Sequence, residues 1–156
     1  MGRVIAVANQ KGGVGKTTTV VNLAASLAVA EQRVLLVDGD PQGNATSGIG
    51  LVSTQVPRTL YDVLIGNTPI TETRHRDVGL KGLDVVPATP DLAGAEVELI
   101  DLPHRESITR EAIQPLAGEY DFILIDCPPS LGLLTLNMLT AADAVLVPLQ
   151  CEFFAL

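Results

Sequence analysis

Residues 9–18 read Asn9-Gln10-Lys11-Gly12-Gly13-Val14-Gly15-Lys16-Thr17-Thr18, and they join the apolar run Val4–Ala8 to a helix-patterned segment from Thr17 to about Ala30. A glycine-rich loop between a strand and a helix can wrap a phosphate, because glycines let backbone N–H groups approach anionic oxygens. The helix N-terminus adds partial positive charge. Lys16 would then reach the β- and γ-phosphates of a nucleotide, and the Thr17 hydroxyl would coordinate Mg²⁺. The segment predicts a site for a nucleoside triphosphate.

This loop departs from the strict phosphate-loop pattern G-x-x-x-x-G-K-[ST]. Gln10 occupies the position of the first glycine, and an additional lysine, Lys11, follows it. The alternative is a glycine-rich surface turn without a ligand, which the flanking strand and helix patterns disfavour.

Short apolar runs recur along the rest of the chain, and they do not alternate with polar residues. This pattern is typical of strands that are covered on both faces of a parallel sheet. Segments with helical periodicity lie between them, and Thr59 is placed to cap one of these helices. The sequence therefore predicts one domain over residues 1–156, a doubly wound α/β fold with a mostly parallel sheet and flanking helices. The further strands are predicted at Val34–Val37, Leu83–Val86, Phe122–Ile125 and Ala144–Val147, and the further helices at Leu60–Ile65, Asp91–Leu99, Glu106–Leu116 and Leu131–Ala142.

Three aspartates follow predicted strands, where open α/β sheets place their ligands. Asp126 ends the run Phe122–Ile125 and is the predicted carboxylate for Mg²⁺. Asp38 and Asp40 follow the second strand, and their side chains would point the same way only if that strand continued to Asp40. Asp38 is accordingly the weaker candidate of the two. The alternative for each aspartate is that it forms a turn.

The composition excludes several classes of protein. The hydrophobic content of 47% excludes a disordered chain, and no apolar stretch is long enough to span a membrane. Without a signal peptide, the chain is expected to be cytoplasmic. The net charge of −8 argues against strong nucleic-acid binding by this segment alone. We expect Cys127 and Cys151 to be buried reduced thiols, and Arg74-His75-Arg76 to lie in a solvated loop.

The end of the sequence is unusually apolar. Ala144–Val147 has the composition of a core strand, yet Phe153 and Phe154 follow almost at the terminus. We expect either that further sheet and helices belong to the fold or that something else covers this surface.

Three boxes of this chain resemble, in the same order, those of the ParA/MinD group of P-loop ATPases, and the resemblance runs through residues 3–156. Within the group, Asn44–Gly48 and Cys127–Gly132 are most similar to chromosomal ParA proteins of the Soj type. The boxes are Lys11–Thr18, which resembles the deviant Walker A box, Val37–Asn44, which resembles the second box, and Phe122–Ser130, which resembles the Walker B strand and switch II.

The resemblance implies an ATPase that hydrolyses ATP to ADP with Mg²⁺ and acts as a switch in chromosome or plasmid partition. Lys11 through Thr18 would bind the nucleotide, with Lys11, Lys16 and Asp40 as the catalytic residues. Asp40 would orient the attacking water, and Asp38 would support the metal site. Lys11 would reach across an ATP-dependent homodimer to the partner's phosphates, and Gly13 would leave room for that approach.

The implied partners are a second copy, a ParB-like centromere-binding protein and non-specific DNA, which would bind through a region outside this segment. No membrane partner is implied, and the family is associated with the nucleoid. One alternative is a MinD-like division-site ATPase, which would require a C-terminal amphipathic membrane helix. A nitrogenase-iron-protein-like reductase would need more cysteines as cluster ligands. A third alternative is a truncated module that binds nucleotide or a partner without turnover.

Overall fold

The computed structural model describes residues 2–151. The chain alternates parallel strands with helices, and three short 3-10 turns complete it at Ser53–Gln55, Leu99–Asp101 and Gln114–Leu116. The strands are β1 (Arg3–Val7), β2 (Val34–Asp38), β3 (Leu83–Val86), β4 (Phe122–Asp126) and β5 (Ala144–Leu146). The helices are α1 (Lys16–Val29), α2 (Asn44–Gly48), α3 (Leu60–Leu64), α4 (Ile70–Thr73), α5 (Leu92–Glu98), α6 (Ile108–Ile113) and α7 (Leu133–Ala141).

The five strands form one sheet in the order β3-β2-β4-β1-β5, and all neighbouring pairs are parallel. β4 lies between β1 and β2, so the last residue of β4, Asp126, is in register with Val7 on one side and Asp38 on the other. The chain leaves β1 toward one edge of the sheet and later reaches β5 at the opposite edge. The carboxyl end of β1 is therefore a topological switch point, where open α/β sheets bind their ligands.

Helices cover both faces of the sheet. α1 packs on one face through Val20, Ala24 and Ala28, and the opposite face carries α3, α5, α6 and α7. Every residue of β2 is buried, as expected for a strand that is covered on both sides. The doubly wound α/β fold predicted from the sequence is confirmed.

The predicted strands agree with the observed strands to within one residue at either end. The cap predicted at Thr59 is also confirmed, because its backbone N–H donates to the Asp62 carboxylate at 2.7 Å in a capping box. The helix predicted over Glu106–Leu116 is shorter and ends in a 3-10 turn. Pro115 explains this change, since proline removes a backbone donor from the helical hydrogen-bond pattern.

Two short helices were not predicted, and the start of α7 differs from the prediction. α2 and α4 are only five and four residues long, too short to show a hydrophobic period. α7 begins at Leu133 instead of Leu131, because Gly132 is extended, with φ −79° and ψ −173°.

The expectation that all five strands are buried on both faces is wrong for β5. It is an edge strand, and Val145 is 51% exposed.

The expectation of a buried thiol holds for Cys127 but is wrong for Cys151, which is exposed. Phe153 and Phe154 lie outside the described residues.

The expectation of a solvated basic loop is wrong for Arg74. Its side chain is only 5% exposed, and Nη1 donates to Glu119 at 2.7 Å and to the Tyr120 hydroxyl at 2.6 Å. The Tyr120 hydroxyl in turn donates to the Asp84 carboxylate. His75 pairs with Val85 next to the sheet, which brings this basic segment against the protein. Arg74 is therefore part of a buried polar network and not a free surface cation.

Among residues 2–151, no helix has the length and apolar character needed to cross a membrane.

Candidate functional site

The loop between β1 and α1 is shaped to receive an anion. Gly13 and Gly15 have left-handed backbone conformations, with φ of 73° and 81°, which side chains other than glycine rarely adopt. A Cβ added at Gly12, Gly13 or Gly15 would meet nothing within 4 Å, so the space over the loop is open. Among the hydrogen bonds of the described residues, none uses the N–H groups of residues 12–16 as donors. These groups and the N-terminus of α1 form a set of unused donors, as phosphate-binding loops do.

Lys16 and Thr17 open α1 at the bottom of this loop. Lys16 is only 8% exposed, although lysine is almost never buried without a partner charge. The Thr17 hydroxyl donates to Asp126 Oδ2 at 2.7 Å and so connects the loop to the end of the central strand β4. The structure thus brings together the three residues that the sequence predicted for the phosphates and the metal.

Asp126 is fully buried, and only one of its two oxygens has a partner. Its Oδ1 accepts no hydrogen bond from the described residues. Burial raises the pKa of the carboxyl to about 7, with smaller effects from the Thr17 hydrogen bond, which lowers it, and from Asp38 and Asp40, which raise it. A buried carboxylate with a free oxygen costs free energy unless a cation or a proton compensates it.

The donor set fits Mg²⁺. The hydroxyl of Thr17 and the carboxylate of Asp126 are hard oxygen ligands, and Mg²⁺ is usually held by one or two carboxylates together with substrate phosphates and waters. No group of three or more His, Cys, Asp or Glu that could hold a metal occurs within residues 2–151. Thr17 and Asp126 together offer a hydroxyl and a carboxylate, which is the kind of donor set that suits a cation arriving with a phosphate group.

Asp38 is buried beside this centre, but protein donors occupy both of its oxygens. Oδ1 accepts from the Asp40 N–H at 3.1 Å, and Oδ2 accepts from the N–H and the hydroxyl of Thr46, at 2.8 and 2.7 Å. Burial raises the pKa of Asp38 despite these hydrogen bonds. The Thr46 hydroxyl also accepts from the Ala88 N–H at 2.9 Å. These contacts let Asp38 fix the loop after β2 in place. The sequence did not single out Thr46, because a threonine eight residues away gives no local signal.

Asp40 lies at the same edge of the sheet, in the loop that Asp38 holds. β2 ends at Asp38, so the strand does not continue to Asp40. The Asp40 side chain is 8% exposed and accepts from the Gln42 N–H at 2.9 Å, which makes a tight turn. Between the two aspartates, the Gly39 N–H donates to the Asp126 carbonyl at 2.8 Å, and a Cβ at Gly39 would lie 2.7 Å from that oxygen. The loop after β2 is therefore held directly against the end of β4.

Lys11 stands at the exposed start of the loop, and Asn9 shapes the chain around it. Asn9 Oδ1 accepts from the Lys11 N–H at 2.9 Å, and Asn9 Nδ2 donates to the Pro148 carbonyl at 2.9 Å. The Gln150 amide donates to the Gly13 carbonyl at 3.1 Å. The chain after β5 thus supports the loop. The sequence interpretation missed Asn9, although an asparagine two residues before a turn is a known turn former.

The remaining residues of the predicted loop take different positions. Val14 is buried at 6% exposure, and Thr18 is exposed on the first turn of α1. Val14 thus anchors the loop in the protein and leaves its N–H groups at the surface.

A parallel α/β sheet with an open glycine loop, a lysine and a threonine at the switch point defines a nucleotide-binding protein of the P-loop class. The chain belongs to the AAA domain family, whose model matches residues 2–156.

Curated relatives carry names of chromosome partitioning proteins. The chain is 62% identical over 156 residues to the chromosome partitioning protein ParA of Myxococcus xanthus, covering 100% of this chain and 55% of that protein. It is 53% identical to the sporulation initiation inhibitor protein Soj of Bacillus subtilis, covering 100% of this chain and 61% of that protein. The resemblance to ParA and Soj is confirmed, and the chain spans little more than half the length of these relatives.

A solved structure agrees with this fold. A cobyrinic acid a,c-diamide synthase from Mycobacterium smegmatis, crystallised with an ATP analog and magnesium, matches with a TM-score of 0.93 at 48% identity. The match covers 100% of this chain and 63% of that chain. A protein with the same fold therefore holds an ATP analog and magnesium.

Proposed function

We propose that this chain binds ATP with Mg²⁺ at residues 11–18 and hydrolyses it to ADP and phosphate as a switch of the ParA type. The observation that carries the proposal is the hydrogen bond from Thr17 to Asp126, whose second oxygen is buried and has no partner among residues 2–151, next to the open glycine loop. Because the chain spans only part of its relatives, the activity and the partners of a whole protein are part of this proposal.

Different residues hold the phosphates, the cation and the attacking water. The N–H groups of the loop and the Lys16 ammonium hold the phosphates, and Thr17 and Asp126 hold the cation. Bound Mg²⁺ would neutralise the negative charge that develops on the phosphate oxygens. Asp40 orients the water that attacks the γ-phosphate, while Asp38 keeps the Asp40 loop in place through Thr46.

Lys11 supplies the positive charge that the site needs in the transition state. Its exposed position at the start of the loop suits a contact across an ATP-dependent homodimer. Partition would further require a ParB-like partner and non-specific DNA. DNA contact would fall to other parts of a longer protein, because the net charge of this chain is −8.

The names of the relatives include both a chromosome partitioning protein and a cobyrinic acid a,c-diamide synthase, and the second of these was crystallised with an ATP analog and magnesium. The higher identity, 62% against 48%, favours the partition switch. A MinD-like ATPase and a module that binds nucleotide without turnover are the alternatives, and the second experiment below distinguishes the module.

The first experiment measures the affinity for a fluorescent ATP analogue in the presence of Mg²⁺ by anisotropy. Lys16→Ala should weaken binding by about tenfold to a hundredfold, because it removes a charge-assisted contact to phosphate. Lys81→Ala is the matched control, since Lys81 is an exposed lysine outside the loop. Equal affinities for the ATP analogue in the two variants would disprove the proposed phosphate-binding loop.

A second experiment separates binding from hydrolysis. Asp40→Ala should keep the ATP affinity within about threefold and lower phosphate release by about a hundredfold, because water positioning acts only in the reaction. If Asp40→Ala loses affinity and turnover together, the role assigned to Asp40 is wrong. A chain that binds ATP without any phosphate release would instead support the non-catalytic module.

A third experiment tests the dimer by light scattering on a size-exclusion column with Mg²⁺ and a non-hydrolysable ATP analogue. The chain should shift toward a dimer, Lys11→Ala should remain monomeric, and Lys81→Ala should behave as the unmodified chain. A chain that stays monomeric both with and without the nucleotide would contradict this part of the proposal.

A further inference from the structure

The N-terminus of α7 is held by a side chain from another helix. The first residues of α7 need acceptors for their N–H groups, and Gly132, at the capping position, has no side chain to provide one. Glu96, on α5, fills this role, because its Oε2 accepts from the Leu134 N–H at 3.0 Å. A carboxylate at a helix N-terminus is also favoured by the helix dipole.

Gly132 is required for this contact. A Cβ at position 132 would overlap the Glu96 carboxylate, so any larger residue there would displace it. The backbone that carries Glu96 is held in place, because Leu92 and Ala95 on α5 and Leu99 in the following 3-10 turn are fully buried in the core. The Glu96 carboxylate therefore reaches α7 from a helix that is anchored in the core.

The segment held in this way leads directly from the candidate site. Residues 127–132 join Asp126 to α7, and they include Pro128 and Pro129, which stiffen the chain. The Thr135 hydroxyl donates to the Ser130 carbonyl at 2.6 Å, which ties the segment to the first turn of α7. This short, proline-containing segment therefore connects Asp126 to the end of α7 that Glu96 contacts.

We propose that Glu96 is a positioning residue that holds residues 127–132 and the first turn of α7 in register with Asp126. The inference rests on the proposed function, because its consequence is the coupling of α7 to the nucleotide site. Glu96 itself touches neither nucleotide nor metal. It acts by fixing the far end of the segment that carries Asp126.

Four variants test this role. Glu96→Ala removes the acceptor, and Gly132→Ala displaces the carboxylate while leaving Glu96 in the chain. Glu96→Gln keeps an oxygen that can accept from Leu134. Glu98→Ala is the matched control, because Glu98 lies on the same helix but binds the hydroxyl of Tyr61 on α3.

Hydrogen exchange and kinetics are measured on the same samples. In Glu96→Ala and Gly132→Ala, the Leu134 amide should exchange about fivefold faster without nucleotide, as expected for the loss of a helix cap. With Mg²⁺ and ATP, kcat should fall by about fivefold while the Kd for ATP stays within about twofold. Glu96→Gln and Glu98→Ala should both stay close to the unmodified chain.

Two results would overturn the proposal. One is Glu96→Ala matching Glu98→Ala in both Leu134 exchange and kcat. The other is a parallel loss of ATP affinity, kcat and thermal stability, since that would show a merely structural contact. If the unmodified chain fails to bind Mg²⁺ and ATP, the proposed function fails and so does the coupling. The nucleotide-free exchange of Leu134 would still show whether Glu96 holds α7.

Discussion

Replacing Asp126 with asparagine should stabilise the chain without nucleotide, although it removes a proposed metal ligand. Asparagine has nearly the same shape, and its amide oxygen can accept the hydrogen bond from Thr17 that Asp126 accepts at 2.7 Å. It carries no charge, so the fully buried position no longer has to hold an ionised group.

The size of the effect follows from the pKa of Asp126. Burial raises this pKa from 3.8 to about 7. The shift lowers the free energy of unfolding at pH 8 by about 4 kcal/mol, and this value is the upper limit for the stabilisation by Asp126→Asn. Because the pKa is raised in the folded state, the unmodified chain loses stability as the pH rises from about 4 to about 7. Between these values the advantage of Asp126→Asn should shrink by about 1.4 kcal/mol for each unit of decreasing pH.

Urea unfolding at pH 8 and at pH 5.5, without nucleotide, measures this difference. Asp121→Asn is the control, because Asp121 is an exposed carboxyl whose pKa is lowered by its hydrogen bonds with Arg33, and its loss should not stabilise the chain. With Mg²⁺ and ATP added, Asp126→Asn should lose the ligand-induced stabilisation. Two results would show that burial of this carboxylate carries no such cost. One is that Asp126→Asn is no more stable than the unmodified chain at pH 8, and the other is that the difference in their free energies of unfolding does not change with pH.

Three further predictions concern the surroundings of the site and the core. Gly39→Ala should destabilise the chain by about 2 kcal/mol in urea unfolding, because its Cβ would lie 2.7 Å from the carbonyl oxygen that ends β4; an unchanged midpoint would contradict this contact. Tyr120→Phe should cost about 2 kcal/mol in the same assay, since it leaves the Asp84 carboxylate with an unsatisfied buried oxygen, and a neutral result would show that water replaces the hydroxyl. In the folded chain at pH 8, Cys151 should react with iodoacetamide and Cys127 should not, because Cys127 is buried and its pKa is raised to about 12; mass spectrometry that found equal labelling would disprove the burial.

The sequence predicted the sheet well because its strands carry two local signals at once. Val34–Val37 is short and uninterrupted by polar residues, and it forms the fully buried β2. The loop of residues 9–18 could also be predicted from the sequence, since its glycines allow a backbone conformation that few other residues adopt. Signals of this kind lie in neighbouring residues and need no knowledge of the fold.

The contacts that were missed join residues that are distant in the chain. Thr46 binds Asp38 across eight residues, and Glu96 binds the start of α7 across 38. Arg74 was placed in solvent because its neighbours in sequence are polar, whereas its partner Tyr120 lies 46 residues away. Periodicity and turn chemistry cannot show such pairs, because they depend on how the elements pack.

The most direct test of the proposed nucleotide site is a calorimetric titration of the chain with ATP, with and without Mg²⁺, while phosphate release is followed in the same sample. We expect saturable binding near one nucleotide per chain that depends on Mg²⁺, followed by slow release of phosphate. If no binding is observed with Mg²⁺ present, the open loop and Asp126 do not form a nucleotide site in this chain, and the proposed function is wrong.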